Sequence, residues 1–60
     1  MRIVITNNQG QEKVIGDTKN FPIPRVGENI SVSSLSPKVT AILHDYQTMI
    51  VLIIVDGPIL

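Results

Sequence analysis

Met49-Ile50-Val51-Leu52-Ile53-Ile54-Val55 is a run of seven apolar residues with no polar position in it. Five of the seven are β-branched, a side-chain shape that loses rotamer freedom in a helix and packs well on a pleated sheet. The run is far shorter than the roughly 20 residues a membrane-spanning helix needs. It therefore reads as a strand, closed by Asp56-Gly57-Pro58 and followed by the short apolar tail Ile59-Leu60. A strand in a one-sided sheet alternates apolar with polar, whereas one that is apolar throughout is covered on both faces. What covers the second face is the question this sequence poses.

Upstream, Lys38–His44 alternates, with Val39, Ala41 and Leu43 on one face and Lys38, Thr40, Ile42 and His44 on the other. Asp45-Tyr46-Gln47-Thr48 reads as the hairpin loop joining it to the apolar run, with Asp45 placed to bond the backbone ahead of it. Met1–Thr6 alternates in the same way and is followed by Asn7-Asn8-Gln9-Gly10, whose glycine suits a left-handed turn position. Gln11–Asp17 is the return strand. Its adjacent Val14-Ile15 and interrupting Gly16 predict a bulge or an edge. Between these hairpins Phe21-Pro22-Ile23-Pro24 lacks two donors and is unfit for a central strand. Arg25–Asn29 reads as a turn, Ile30–Ser33 as a short strand and Ser34–Pro37 as another turn.

The composition agrees with an all-β chain. Ten Ile, seven Val and four Thr make 21 of 60 residues β-branched, against one Ala, one Phe, one Tyr and no Trp. Residues 1–60 are one small domain, formally neutral, with no cysteine for a disulfide or a thiolate metal site. Neutrality removes a general pull toward phosphate backbones or acidic membranes. No apolar segment of signal-peptide length follows Met1, so the expected location is cytoplasmic.

Five short strands in 60 residues predict a five-stranded antiparallel barrel. Val26-Gly27-Glu28-Asn29-Ile30 opening a strand, followed by the hairpin Val39–Leu43/Met49–Val55, resembles an SH3-like barrel. Ile23-Pro24-Arg25-Val26-Gly27-Glu28, with His44-Asp45-Tyr46 in a hairpin, is similar to short uncharacterised phage- and prophage-encoded proteins. That likeness implies no activity.

The functional expectation follows from the imbalance of apolar residues. From Ile42 to Leu60, 12 of 19 residues are apolar, and the charges fall from seven in the first half to three in the second. A single core this small leaves only about 3–5 kcal/mol of net stability, and oligomerisation is a remaining source of burial. The expected function is a non-enzymatic protein–protein assembly module that self-associates through its C-terminal strand. The interface residues assigned from sequence are Ile42, Met49, Val51, Ile53, Val55 and Leu60. An unidentified protein partner is the other possible occupant.

Other chemistries are poorly supplied. His44-Asp45 is the lone His–acid neighbour pair, with Ser31, Ser33, Ser34 and Ser36 upstream. A triad also needs an oxyanion hole and a shaped pocket. The expectation is no enzyme, no cofactor and no metal. A nucleic-acid-binding small barrel is the alternative, using Phe21, Arg25 and Tyr46 as stacking and phosphate contacts. Its two aromatics and five scattered cations make nucleic acid the lesser reading. Strand addition at the Gln11–Asp17 edge is a further mode, guarded by Lys13 and Gly16.

Overall fold

A computed structural model describes residues 1–60. The chain forms four strands and no helix: β1 (Arg2–Asn7), β2 (Glu12–Asp17), β3 (Lys38–Asp45) and β4 (Ile50–Asp56). They make one mixed sheet in the order β2-β1-β4-β3. The β1/β2 and β3/β4 hairpins are antiparallel, and the two hairpins join through parallel pairing of β1 with β4. The apolar run is thus a central strand. Burial on both sides is what such a position asks for.

Register decides which residues face which way. Ile3 stands opposite Val51, Ile5 opposite Ile53 and Asn7 opposite Val55. Val39, Ile3, Ile5, Val51, Ile53 and Val55 form one buried layer with Val32 and Ile59. The cover on this layer is the 20-residue segment between β2 and β3, which crosses diagonally from one edge of the sheet to the other. Ile23, Ile30 and Val32 of that strap pack down onto the layer. Its backbone is tied to the start of β3, where Gly27 donates to the Val39 carbonyl and Val39 donates to that of Glu28, each at 2.8 Å. The C-terminal tail folds back so that Ile59 is fully buried while Leu60 stays exposed.

The expected five-stranded antiparallel barrel gives way to an open four-stranded mixed sheet. Ile30–Ser33 is not a strand. It contributes one bridge between Val32 and Leu35, and another joins neighbouring Asn29 to Lys38. Val32 and Leu35 exchange both backbone bonds around Ser33-Ser34, whose φ values of 49° and 64° give a tight two-residue turn. Parallel β1/β4 pairing further departs from the antiparallel pattern. The loose likeness to SH3-like barrels therefore reaches the all-β class and no further.

Two bulges adjust the alternation. In β2 the register slips so that Val4 faces Val14 while Ile3 faces Gly16, leaving Ile15 as the extra residue. In β3 the slip falls at Thr40, so Val39 and Ala41 do not share a face as strict alternation required. Val39 turns inward with Ile42, and Ala41 and Leu43 turn outward. Gly16 has a second reason to be glycine: a Cβ there would run into the ring of Phe21, which lies against it.

Met49 is outside the strand it was expected to begin, at φ 58° in the left-handed region. That conformation costs an L-residue about 1–2 kcal/mol, which glycine avoids while losing roughly 0.5–1 kcal/mol of chain entropy. The Met49 side chain is 56% exposed, so little packing is forfeited. Met49→Gly is expected to raise the thermal midpoint by a few degrees in a calorimetric scan. A lower midpoint would contradict this assignment of strain.

Candidate functional site

The outer face of the sheet carries no covering segment. Its residues follow from the registers. Val14 faces Val4, Val4 faces Leu52, and Leu52 faces Leu43, giving an unbroken apolar row across all four strands. A second row runs Glu12, Thr6, Ile54, Ala41, and a third contains Arg2, Ile50 and Asp45. Seven apolar side chains from four strands thus make one patch, with charge only at its ends. Val14 and Leu43 are 57% and 54% exposed, Val4 is 5% exposed, and Ile50, Leu52, Ile54 and Ala41 are half-buried by one another.

The surface area itself is ordinary. The chain exposes 3990 Å², against about 3900 Å² expected for a monomer of this mass. Its apolar side chains are nonetheless gathered on one face rather than scattered singly, and contiguous exposed apolar residues are the ones that call for an explanation.

Three of the six residues assigned to the interface from sequence lie in the chain's own core. Val51 and Ile53 are fully buried and Val55 is 2% exposed. The parallel register with Ile3 and Ile5 turns these three inward, so the face of β4 left for contact is Ile50, Leu52 and Ile54. Ile42 also points to the core side, partly buried. Met49 and Leu60 are exposed, at the start of β4 and beyond its end, and do not join the patch. Val4, Val14, Ala41 and Leu43, which complete it, were not among the assigned residues.

Phe21, Arg25 and Tyr46 are not brought together. Phe21 lies on Gly16 at the β2 edge. Arg25 sits in the turn that ties to the start of β3, where its N–H donates to Glu28 Oε1 at 2.6 Å. Tyr46 is at the opposite end of β3, stacked on His44 with ring centroids 6.3 Å apart. The structure thus gathers no aromatic and basic platform from this set.

The loops are held by side chains acting on backbone. Asp45 Oδ1 accepts from the N–H groups of Gln47 at 3.0 Å and Thr48 at 3.3 Å, and the Thr48 contact holds its carboxyl below the usual range. Asp17 accepts from Lys19 N–H at 2.9 Å, and that bond lowers its pKa in the same way. Both carboxylates are turn-formers, each accepting backbone N–H bonds at Oδ1. His44 and Asp45 are consecutive strand residues on opposite faces of the sheet.

A groove of about 600 Å³ opens between the strap and the sheet, lined chiefly by Ile15, Phe21, Pro22, Ile23, Ile30 and Val32. Its one carboxylate, Glu28, is already bonded to the Arg25 backbone. No cluster of three or more His, Asp or Glu side chains is arranged to hold a metal ion. No family model, curated protein or solved structure matches this chain.

Proposed function

We propose that the protein is a self-associating assembly module that packs the outer face of its sheet against the same face of a second copy. The supporting observation is the Val14–Val4–Leu52–Leu43 row, apolar across the full width of the sheet, exposed at Val14 and Leu43, half-buried at Leu52 and buried at Val4. A second copy suits this face because charge stands only at its ends, so its centre offers a partner nothing but apolar surface. Sheets packed face to face lie about 10 Å apart and bury such rows from both sides. The role is structural, and the reacting groups of an enzyme are not needed for it.

Leu52→Lys tests the reading. In a lone chain the lysine stem can lie along the sheet with its ammonium in water. In a stacked pair two ammonium groups would be trapped near one another in apolar surroundings, which is costly without counter-charges. The variant is expected to keep its circular dichroism while its association weakens more than about tenfold, roughly 1.4 kcal/mol or more. Val14→Lys, at the rim of the patch, should weaken it less. Unchanged association of a folded Leu52→Lys protein would overturn the proposal.

A further inference from the structure

The two edges of the sheet are defended unequally. On the β2 edge, the bulge at Ile15, the charged Glu12 and Lys13 and the side-chain bond from Lys13 Nζ to Ser33 at 2.8 Å disturb or occupy the strand. These are devices that blunt an edge against pairing. On the β3 edge the strap covers only Val39. From Ala41 to His44 the strand carries no lysine, no proline and no bulge.

The ladder shows which backbone groups are free there. Arg2 N–H donates to the Met49 carbonyl, so Arg2, Val4 and Thr6 direct their backbone groups toward β4. By alternation Val51, Ile53 and Val55 direct theirs back to β1, and Ile50, Leu52 and Ile54 direct theirs to β3. Their register partners Asp45, Leu43 and Ala41 receive those bonds. Ile42 and His44 are left with N–H and C=O pointing out of the sheet. Val39, on the other side of the bulge, also points outward, but its groups are taken by Gly27 and Glu28.

We propose that this free stretch of β3 pairs antiparallel with the same stretch of a second copy, about a two-fold axis at Leu43. Each Ile42 then exchanges both backbone bonds with His44 of the partner subunit, and Leu43 meets its own copy on the outer face. The two sheets become one continuous sheet, and the apolar row runs unbroken through both. Interface area is the argument for this occupant. One outer face measures roughly 20 Å by 20 Å, about 400 Å², from ~4.8 Å between strands and ~6.8 Å between alternate residues. Specific interfaces cover about 800 Å² per partner. Edge pairing doubles the face to that size, so the stacking proposed above, on which this step rests, becomes adequate only in the edge-paired sheet. Two isologous contacts of this kind close into an assembly of about four chains.

Sedimentation equilibrium of the wild type and two variants tests it. His44→Pro removes an outward N–H that no ladder bond uses, and proline is tolerated on edge strands. The wild type is expected at about four times the chain mass and His44→Pro at half that or less, with circular dichroism retained. Leu52→Lys, which leaves the edge untouched, should stop at the edge-paired dimer. A folded His44→Pro protein with wild-type mass overturns edge pairing and leaves stacking standing. A wild-type dimer that Leu52→Lys leaves intact and His44→Pro dissolves upholds the edge and removes the stacking. A wild-type dimer that only Leu52→Lys dissolves, or a monomeric wild type, overturns the edge proposal. If His44→Pro fails to fold, amide exchange of the wild type decides. Protection of Ile42 and His44 amides by tenfold or more, growing with concentration, supports pairing. Unprotected exchange at those two amides in an associated sample overturns it.

Discussion

Ile53→Ala is expected to leave the chain largely unfolded at room temperature. Ile53 is fully buried in the central strand, opposite Ile5 in β1 and Ile42 in β3. Removing its outer carbons sacrifices their transfer free energy and opens a cavity, at a cost of about 2–5 kcal/mol for a buried Ile-to-Ala change. A core in this size class supplies only about 3–5 kcal/mol net. The strap above Ile53 is held by few backbone bonds, but the strand itself is clamped between two neighbours and cannot collapse into the void. Ile53→Val, which removes one methylene, should cost only about 0.5–1.5 kcal/mol and remain folded. Thermal melts at one fixed protein concentration check this, because association would itself raise the midpoint. A cooperative melt of Ile53→Ala within a few degrees of wild type would show that the inward face has been misassigned.

The second large effect belongs to a polar residue. Asn7, 7% exposed at the end of β1, accepts at Oδ1 from the N–H groups of Gln9 at 3.1 Å and Gln11 at 3.0 Å. Its Nδ2 donates to the Gln11 side-chain oxygen and to the Gly57 carbonyl, each at 2.8 Å. The same Gln11 oxygen accepts from Ile59 N–H at 3.1 Å. One side chain thus shapes the β1–β2 turn and fastens the tail that inserts Ile59 into the core. Leaving a buried donor or acceptor unpaired costs about 1–3 kcal/mol, so Asn7→Ala should lose at least that much. Asn7→Asp keeps the acceptors and replaces the donor by an oxygen facing two others. The repulsion would raise the folded-state pKa of that carboxyl above its unfolded value. Its protonated form supplies the missing donor, so the variant should gain stability as pH falls through that raised pKa, while wild type does not. A pH-independent difference between the two would count against the bonding arrangement.

Much of the fold was legible before any coordinate. The two hairpins, their loops, the bulge near Val14-Ile15 and the exclusion of Phe21–Pro24 from the sheet all follow from local chemistry: alternation, turn residues, missing donors. What could not be read was long-range pairing. The residues Ile50, Leu52 and Ile54 are as apolar as Val51, Ile53 and Val55, so nothing within β4 says which set turns inward. That choice is made by β1, where Ile3 and Ile5 form the purely apolar side and Arg2 and Thr6 mark the other. Parallel pairing of β1 with β4 transmits it. A shift of one residue in that register would exchange the two faces. Val4 and Val14 escaped notice as contact residues for the same reason, since each lies on a strand whose alliance with β4 is set by the three-dimensional fold. The bulge at Thr40 left one trace, Ile42 on the otherwise polar face of Lys38–His44, since strict alternation from Val39 would turn that isoleucine outward.

The central claim is that the solvent-facing side of this sheet is a contact surface between copies. Sedimentation equilibrium of the unmodified chain across low to high micromolar concentration tests it most directly. The account predicts a mass that climbs above 6.6 kDa to a whole multiple of it as concentration rises. A constant 6.6 kDa across the whole range would contradict it.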